Sequence, residues 1–224
     1  MKYPLSHSLG KTLSEKFEEI LRFHIPPSPD KTILDPTCGK RYLWESLFNG
    51  LENTKQLDLE GNRITLPWKV IFSDIQDFGY NKVCDVKDLT VEAPVDGIVY
   101  DPPYFFGDKE ALETDERRED YGSYKQSYEE LLGFMDIANE KFPMLLKDGG
   151  KLILKCADQH YLGTNMFYPL HVTWIERLTN FKIVDFFVCP HHNMSPTAYV
   201  IKNRPCAIIM HTYFIVFEKG KKAE

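Results

Sequence analysis

The sequence predicts an α/β fold, built on a mostly parallel sheet with helices on both faces, and three observations support it. Short apolar runs alternate with longer amphipathic segments, as strands and helices do in such folds. Several of these runs end at an aspartate, and the carboxyl ends of parallel strands are where such folds bind ligands. The 224 residues, 43% of them hydrophobic, suffice for one domain with a sizeable core.

The most informative stretch lies at residues 95–104, where an apolar run leads into a tetrapeptide rich in proline. This tetrapeptide consists of Asp101, Pro102, Pro103 and Tyr104. Prolines lack the amide donor that a strand ladder needs, so the predicted strand ends at Asp101. The resulting bend presents a carboxylate, main-chain carbonyls and an aromatic ring at the end of a strand. A Pro-rich loop with Tyr104 as an ordinary core residue is the alternative interpretation.

The first predicted strand, Thr32 to Leu34, is followed by a tight turn and then by a helix over Tyr42 to Phe48. The turn comprises Asp35, Pro36, Thr37, Cys38 and Gly39. A strand, a glycine-containing turn and a helix form the usual arrangement for binding nucleotide-like cofactors. The sequence has neither a Gly-x-Gly-x-x-Gly set nor the Lys-Ser/Thr of a phosphate loop here, which favours a cofactor without phosphates.

Two further strands are predicted at residues 69–75 and 81–86, and each contains an acid near its end. Asp74, followed by Ile75, stands where a carboxylate accepts hydrogen bonds from ribose hydroxyls. Asp85, followed by Val86, is a candidate acceptor for an adenine amino group. A surface acid at a strand end is the competing interpretation of both.

The remaining segments complete the predicted domain without a repeat or a low-complexity region. A capping-box pattern, Ser127 to Glu130, opens a long helix that Pro143 is expected to kink or end. The other predicted parts are a helix at 11–24 within an N-terminal helical segment 1–30, an insertion at 51–68, strands at 151–156, 181–188 and 207–217, and a helix at 168–180.

Two loops carry candidate substrate-binding residues. The loop 105–126 is long and without periodicity, which is typical of a mobile lid or binding loop, and it offers Tyr121 and Tyr124 for stacking on bases. The loop 190–205 is the most basic one and contains His191, Lys202 and Arg204. Solvated surface loops are an equally good interpretation of both.

Composition limits the classes of function. A formal net charge of −6 argues against tight, non-specific binding of nucleic acid by the whole surface. Mean hydropathy is −0.35, no apolar run reaches membrane-spanning length, and no signal-peptide pattern opens the chain, so we expect a cytoplasmic protein without a membrane partner. The five cysteines are scattered along the chain, which predicts free thiols. The sequence has no pair of ligands with metal-site spacing, so we predict no metal site.

The ordered motifs resemble those of class I S-adenosylmethionine-dependent methyltransferases, and more narrowly the amino-methyltransferases of DNA bases. The resemblance rests on Asp35 to Gly39, Asp74, Asp85 and Asp101 to Tyr104, and it covers roughly residues 30 to 218. It implies a Rossmann-like sheet of seven strands with the last strand antiparallel. The chain departs from the pattern at Arg41, where a second glycine is common.

The resemblance also implies roles for these residues. The turn Asp35 to Gly39 holds the methionine part of S-adenosylmethionine, Asp74 holds the ribose, and Asp85 with Val86 holds the adenine. The bend at residues 101–104 holds the target amine: Asp101 and the carbonyl of Pro102 accept its hydrogens, and Tyr104 stacks on the base, with Phe105 extending the stacking wall. The reaction needs no metal.

The function expected from this resemblance is methylation of adenine N6 in DNA. Methylation of RNA guanine N2, methylation of DNA cytosine N4 and a non-catalytic partner subunit with the same fold stay open, and a protein-glutamine methyltransferase fits less well. We find no segment typical of a separate target-recognition domain, so a homodimer or a partner subunit supplying target recognition is expected.

Overall fold

The sheet seen in the computed structural model has the predicted class and topology. The structure describes residues 5–6, 10–49, 66–79, 81–104, 106, 127–160, 166–190, 209 and 211–220. Seven strands form one sheet in the order β3-β2-β1-β4-β5-β9-β8, and β6 and β7 form a separate two-stranded hairpin. The strand β9 runs antiparallel to both of its neighbours, as predicted, while β1 to β5 pair in parallel. The fold is therefore a Rossmann-like α/β fold.

The elements have the following bounds. The helices are α1 (Leu13–His24), a 3-10 turn (Tyr42–Trp44), α2 (Glu45–Asn49), α3 (Tyr128–Leu145) and α4 (Leu170–Arg177). The strands are β1 (Thr32–Asp35), β2 (Lys69–Asp74), β3 (Lys82–Val83), β4 (Val95–Tyr100), β5 (Leu146–Cys156), β6 (Gln159–His160), β7 (Phe167–Tyr168), β8 (Phe181–Pro190) and β9 (His211–Lys219).

Alternation along the central strands places a hydrophobic core on each face of the sheet. Ile98 and Leu152 belong to one cluster, which α3 and α4 cover, whereas Val99 and Ile153 belong to a second cluster beneath α1. Because side chains of a strand alternate between faces, a run that is apolar throughout is buried on both sides. The three-layer arrangement leaves the carboxyl ends of the parallel strands together at one edge.

The long helix α3 begins and ends close to the predicted positions. Ser127 accepts from the amide of Glu130 at 3.1 Å, and the Glu130 carboxylate accepts from the amide of Ser127, which completes the capping box. Pro143 lies inside the last turn and leaves the carbonyl of Asn139 without a helical donor. The Asn180 side chain donates to that carbonyl at 3.0 Å, so the helix continues to Leu145.

Several predicted boundaries were wrong. The third strand comprises only Lys82–Val83, because the residues from Cys84 turn toward the cavity described below. The helix predicted at 168–180 spans Leu170–Arg177, because Tyr168 pairs with Gln159 in a hairpin that the sequence did not reveal. The strand β5 starts five residues earlier than predicted, and its first residue, Leu146, pairs with Val95 across a bulge. Most of the insertion 51–68 lies outside the described residues.

The N-terminal segment contacts the edge strand β8. The amide of Val188 donates to the carbonyl of Ser6 at 2.9 Å, and the buried ammonium of Lys16 donates to the carbonyl of Leu5. Residues 5–6 therefore cover part of the edge of the sheet. No helix among the described residues is long and apolar enough to cross a membrane.

Candidate active site

The carboxyl edge of the sheet opens into a cavity of about 1100 Å³. Asp35 ends β1 and Asp74 ends β2, while Asp85 and Asp101 follow β3 and β4, and all four line this cavity. Parallel strands bring their carboxyl ends to one edge, so residues far apart in the sequence meet there. The predicted strand-end acids are thus brought together.

The turn after β1 is built around the buried carboxyl of Asp35. Its Oδ2 accepts from the indole Nε1 of Trp44 at 2.7 Å, and its Oδ1 accepts from the amide of Thr37 at 3.1 Å. Burial raises the pKa of Asp35 to about 7, and these hydrogen bonds only partly offset the cost of burying the charge. The first acid of the site therefore shapes the turn that faces the cavity.

Two left-handed residues give the turn its path. Gly39 has φ +47° and Arg41 has φ +59°. Arg41 stands where the family that the sequence resembles commonly has a second glycine, and it adopts the left-handed conformation that glycine favours. The left-handed region costs a non-glycine residue on the order of 1–2 kcal/mol. The Arg41 guanidinium lies over the rings of Phe48 and Phe72, with centroids 5.0 and 5.4 Å away, and these contacts offset part of that cost.

Asp74 and Asp85 are both held by backbone amides. Asp74 Oδ2 accepts from the amide of Gly39 at 2.9 Å, and its Oδ1 accepts from the amide of Gln76 at 3.0 Å. Asp85 Oδ1 accepts from the amide of Lys87 at 3.0 Å, and the Lys87 ammonium lies 3.1 Å from Asp85 Oδ2. A carboxylate has about four lone-pair sites, so each keeps acceptor capacity toward the cavity.

Apolar side chains accompany these acids along the cavity wall. Ile75 is 46% exposed and Val86 is buried, and both line the cavity. Phe134 of α3 and Tyr42 of the 3-10 turn also line it. Cys38 lines the cavity as a thiol, because burial raises the pKa of its sulfur.

The bend after β4 is joined to the turn after β1. The amide of Asp101 donates to Thr37 Oγ1 at 2.8 Å, which fixes the start of the bend. Pro103 lines the cavity together with Asp101, whereas Pro102 and Tyr104 are not among the described residues that do. Tyr104 is 8% exposed and belongs to the core cluster beneath α3, and burial raises the pKa of its hydroxyl.

A lysine stands beside this acid. Lys155 Nζ donates to both carboxylate oxygens of Asp101, at 2.8 and 2.7 Å, and lies 3.4 Å from the hydroxyl oxygen of Tyr104. The register of the parallel strands, in which Tyr100 pairs with Leu154, brings Asp101 and Lys155 side by side. Both line the cavity.

The sequence predictions for the cofactor side of the site coincide with this cavity. The residues that the structure places on the cavity wall are Asp35, Pro36, Thr37, Cys38, Gly39, Asp74, Ile75, Asp85, Val86, Asp101 and Pro103. The candidate substrate-binding residues Phe105, Tyr121, Tyr124, His191, Lys202 and Arg204 lie outside the described residues. The roles assigned to all these residues stay predictions.

Sequence reasoning missed Lys155, Phe134 and the start of α1, all of which contribute to the cavity wall. One feature of the sequence could have pointed to Lys155, since it is the single charged residue in the apolar run 152–156. A charge inside a buried strand requires a partner. Phe134 had no such feature, because it sits between the core positions Leu131 and Met135 of an amphipathic helix.

Three solved structures share this fold at low sequence identity. The N-methyltransferase NodS from Bradyrhizobium japonicum has 13% identity and a TM-score of 0.52, with 92% of this chain and 96% of that chain covered. TrmN from Thermus thermophilus has 15% identity and a TM-score of 0.53, with 95% and 51% covered.

The third is a Listeria monocytogenes protein described as a class I S-adenosylmethionine-dependent methyltransferase, with 16% identity and a TM-score of 0.52. The alignment covers 93% of this chain and 59% of that one, so the chain spans little more than half the length of two of the three. No protein-family model and no curated protein sequence matches the chain. Identities this low show a shared fold.

Proposed function

We propose that the chain transfers a methyl group from S-adenosylmethionine to an exocyclic amine of a nucleic-acid base, adenine N6 in DNA before other amines. The observation that carries the proposal is the carboxylate of Asp101, which lines the cavity at the end of β4 beside the turn after β1. In a Rossmann-like sheet this edge is where ligands bind.

The residues on the cavity wall fit this cofactor. Six of the described lining residues are acidic and two are basic, which favours a cationic ligand such as a sulfonium. A Cβ added at Gly39 meets no described heavy atom within 4 Å, so open space lies before the turn assigned to the methionine part. Asp74 is the acceptor proposed for the ribose hydroxyls, and Asp85 with Ile75 and Val86 offers a polar and apolar wall for adenine.

On the acceptor side, the Asp101 carboxylate on the cavity wall and the carbonyl of Pro102 are the hydrogen-bond acceptors proposed for the amine. The amine of adenine is a poor nucleophile, because its lone pair is conjugated with the ring. When Asp101 and the carbonyl of Pro102 accept its two hydrogens, the lone pair is directed out of the ring plane and positive charge developing on nitrogen is stabilised. When bound, S-adenosylmethionine would supply an activated methyl group to the amine, and the electron pair of the broken C–S bond would stay on sulfur.

The choice of DNA adenine rests on the likeness of residues 101–104 to the bend of the DNA amino-methyltransferases. A base in duplex DNA must be rotated out of the helix to reach such a cavity. Phe105, Tyr121 and Tyr124 are proposed to stack on the base, and His191, Lys202 and Arg204 to contact phosphates. A second copy or a partner subunit is proposed to supply target recognition.

One observation favours a second candidate, a non-catalytic subunit with a methyltransferase fold. Lys155 contacts both oxygens of Asp101, and a carboxylate that serves to neutralise an internal cation has no need to serve an acceptor amine. The two candidates differ in turnover and share cofactor binding.

The test is transfer of labelled methyl from S-adenosylmethionine to DNA, RNA and protein, followed by nucleoside analysis. Wild type is expected to yield N6-methyladenine in DNA, and Asp101→Ala to reduce the rate on the order of 10²–10³-fold. Asp96→Ala is the matched control, because Asp96 is also paired with a lysine but lies near the start of β4, whereas Asp101 directly follows its end.

Each other outcome has a clear meaning. Methylguanine in RNA or N4-methylcytosine in DNA would support the proposed site but show that its substrate is not DNA adenine. Binding of S-adenosylhomocysteine without methylation of any polymer would favour the non-catalytic subunit. Failure to bind that product, in a folded protein, would contradict the proposed cofactor.

A further inference from the structure

We propose that Lys155 is a positioning residue for methyl transfer, which holds the Asp101 carboxylate in the orientation that receives the acceptor amine. The inference rests on the proposed function of the site. It assigns a role to a residue that is neither part of the bend at 101–104 nor part of the turn after β1.

The geometry of the contact fixes the carboxylate. A side chain of aspartate rotates about its last bond, and a donor to one oxygen alone restrains this rotation less than a donor to both. Lys155 Nζ lies 2.8 Å from Oδ1 and 2.7 Å from Oδ2 of Asp101, so rotation would break at least one of the two hydrogen bonds. Two lone-pair sites of the carboxylate remain for the cavity side.

The chemistry of an ammonium suits this role. It carries three donors and no acceptor, so it leaves Asp101 as the acceptor of the pair. Lys155 forms and breaks no covalent bond in the reaction, and the proton released from the methylated nitrogen passes to Asp101 or to water. The lysine side chain is 10% exposed and the aspartate 24%, so solvent screens the pair only in part.

The same two strands contain an internal comparison. Lys147 of β5 pairs with Asp96 of β4 at 2.7 Å. The Lys147 side chain is 48% exposed, and its ammonium donates to Oδ2 of the aspartate. This second pair lies at the opposite end of the strands and does not line the cavity. A lysine needed only to join β4 to β5 is therefore available as a control.

The experiment compares Lys155→Met, Lys155→Arg and Lys147→Met. Lys155→Met is expected to lower kcat 10- to 100-fold on the polymer that wild type methylates, while the calorimetric affinity for S-adenosylhomocysteine changes less than threefold. Lys155→Arg restores most of the rate, because a guanidinium also donates to two carboxylate oxygens. Lys147→Met keeps kcat within about twofold.

A double variant separates positioning from an independent effect. Because Lys155 acts through Asp101, adding Lys155→Met to Asp101→Ala is expected to lower kcat no further. An unchanged or increased kcat in Lys155→Met, an equal loss of kcat and of S-adenosylhomocysteine affinity, or multiplying effects in the double variant would overturn the proposal.

A readout without turnover distinguishes this proposal from the proposed function. Crystal structures of wild type and Lys155→Met, each with S-adenosylhomocysteine, are expected to show one Asp101 rotamer in wild type and a displaced or divided one in the variant. One unchanged rotamer in both would refute positioning even if the enzyme is active. Absence of methylation by wild type would instead refute the proposed function.

Discussion

The two halves of the cavity hold their carboxylates by different means. On the side of β1 and β2, Asp74 accepts from the backbone amides of Gly39 and Gln76, and Asp35 accepts from the amide of Thr37 and the indole of Trp44. On the side of β4 and β5, Asp101 accepts from the ammonium of Lys155. Backbone amides are fixed by the fold, whereas a side-chain cation can be removed by one substitution. The geometry of Asp74 is therefore set by the main chain, whereas the geometry of Asp101 depends on one side chain.

The largest effect expected from this difference is that one alanine variant loses mainly kcat, whereas the other loses mainly affinity for the cofactor product. Asp101→Ala is expected to reduce kcat on the order of 10²–10³-fold, because the proposed stabilisation of developing charge would be lost. Asp74→Ala is expected to raise the Kd for S-adenosylhomocysteine about 10- to 100-fold, because the proposed charge-assisted hydrogen bonds to the ribose would be lost. Calorimetry and labelled-methyl kinetics on both variants measure these two losses. If both variants lose affinity and rate in parallel, the separation into halves is wrong.

A second effect concerns pH and the buried acid. The pKa of Asp35 in the folded protein is about 7, above its ordinary value of 3.8. Between these pH values the folded state retains the proton more than the unfolded state, so the contribution of Asp35 lowers stability as pH rises. Replacing Asp35 with Asn removes this dependence, and the stability difference between wild type and variant should change by about 2–3 kcal/mol from pH 5 to pH 7.

Urea unfolding at both pH values measures this effect. Asp96→Asn serves as the control, because its lysine partner holds the pKa of Asp96 below its ordinary value despite partial burial. A stability difference that stays unchanged from pH 5 to pH 7 would show that Asp35 is already ionised in the folded protein at pH 5.

The smallest effect concerns the left-handed residue Arg41. Arg41→Gly relieves the cost of its φ of +59° but loses contacts with two aromatic rings, so stability should change by less than about 1 kcal/mol. Arg41→Val, which is β-branched, should be the less stable of the two by about 1–2 kcal/mol. Thermal unfolding and S-adenosylhomocysteine affinity test both variants. Equal stability of the two would mean that the turn relaxes to another conformation.

The sequence predicted the acids at strand ends, because local signals carry that information: prolines follow Asp101, and a glycine-containing turn follows Asp35. The antiparallel direction of the last strand was predicted from the resemblance to a known family and not from these signals. The Asp101–Lys155 contact was not predictable from these signals, because it depends on the register between β4 and β5. Register is set by packing between segments distant in sequence, and a one-residue shift would place Lys155 on the other face.

Tyr104 shows the same limit on the site itself. Its place after two prolines suggested a ring facing a bound base, whereas the ring is buried in the core beneath α3 with its hydroxyl near Lys155. The direction of a side chain after a bend depends on what packs over the bend. The stacking role of Tyr104 therefore stays a prediction that binding of a base must test.

The contact between residues 5–6 and β8 has a consequence for handling the protein. A strand at the edge of a sheet presents unpaired amides and carbonyls, which other chains can pair with. The carbonyl of Ser6 accepts a hydrogen bond from the amide of Val188. The carbonyl of Leu5 accepts one from Lys16, whose side chain has almost no contact with solvent. Removal of the first ten residues would expose this part of the edge and leave the buried ammonium of Lys16 without its bond to Leu5. Aggregation through strand pairing is the failure that such a shortened protein would show first.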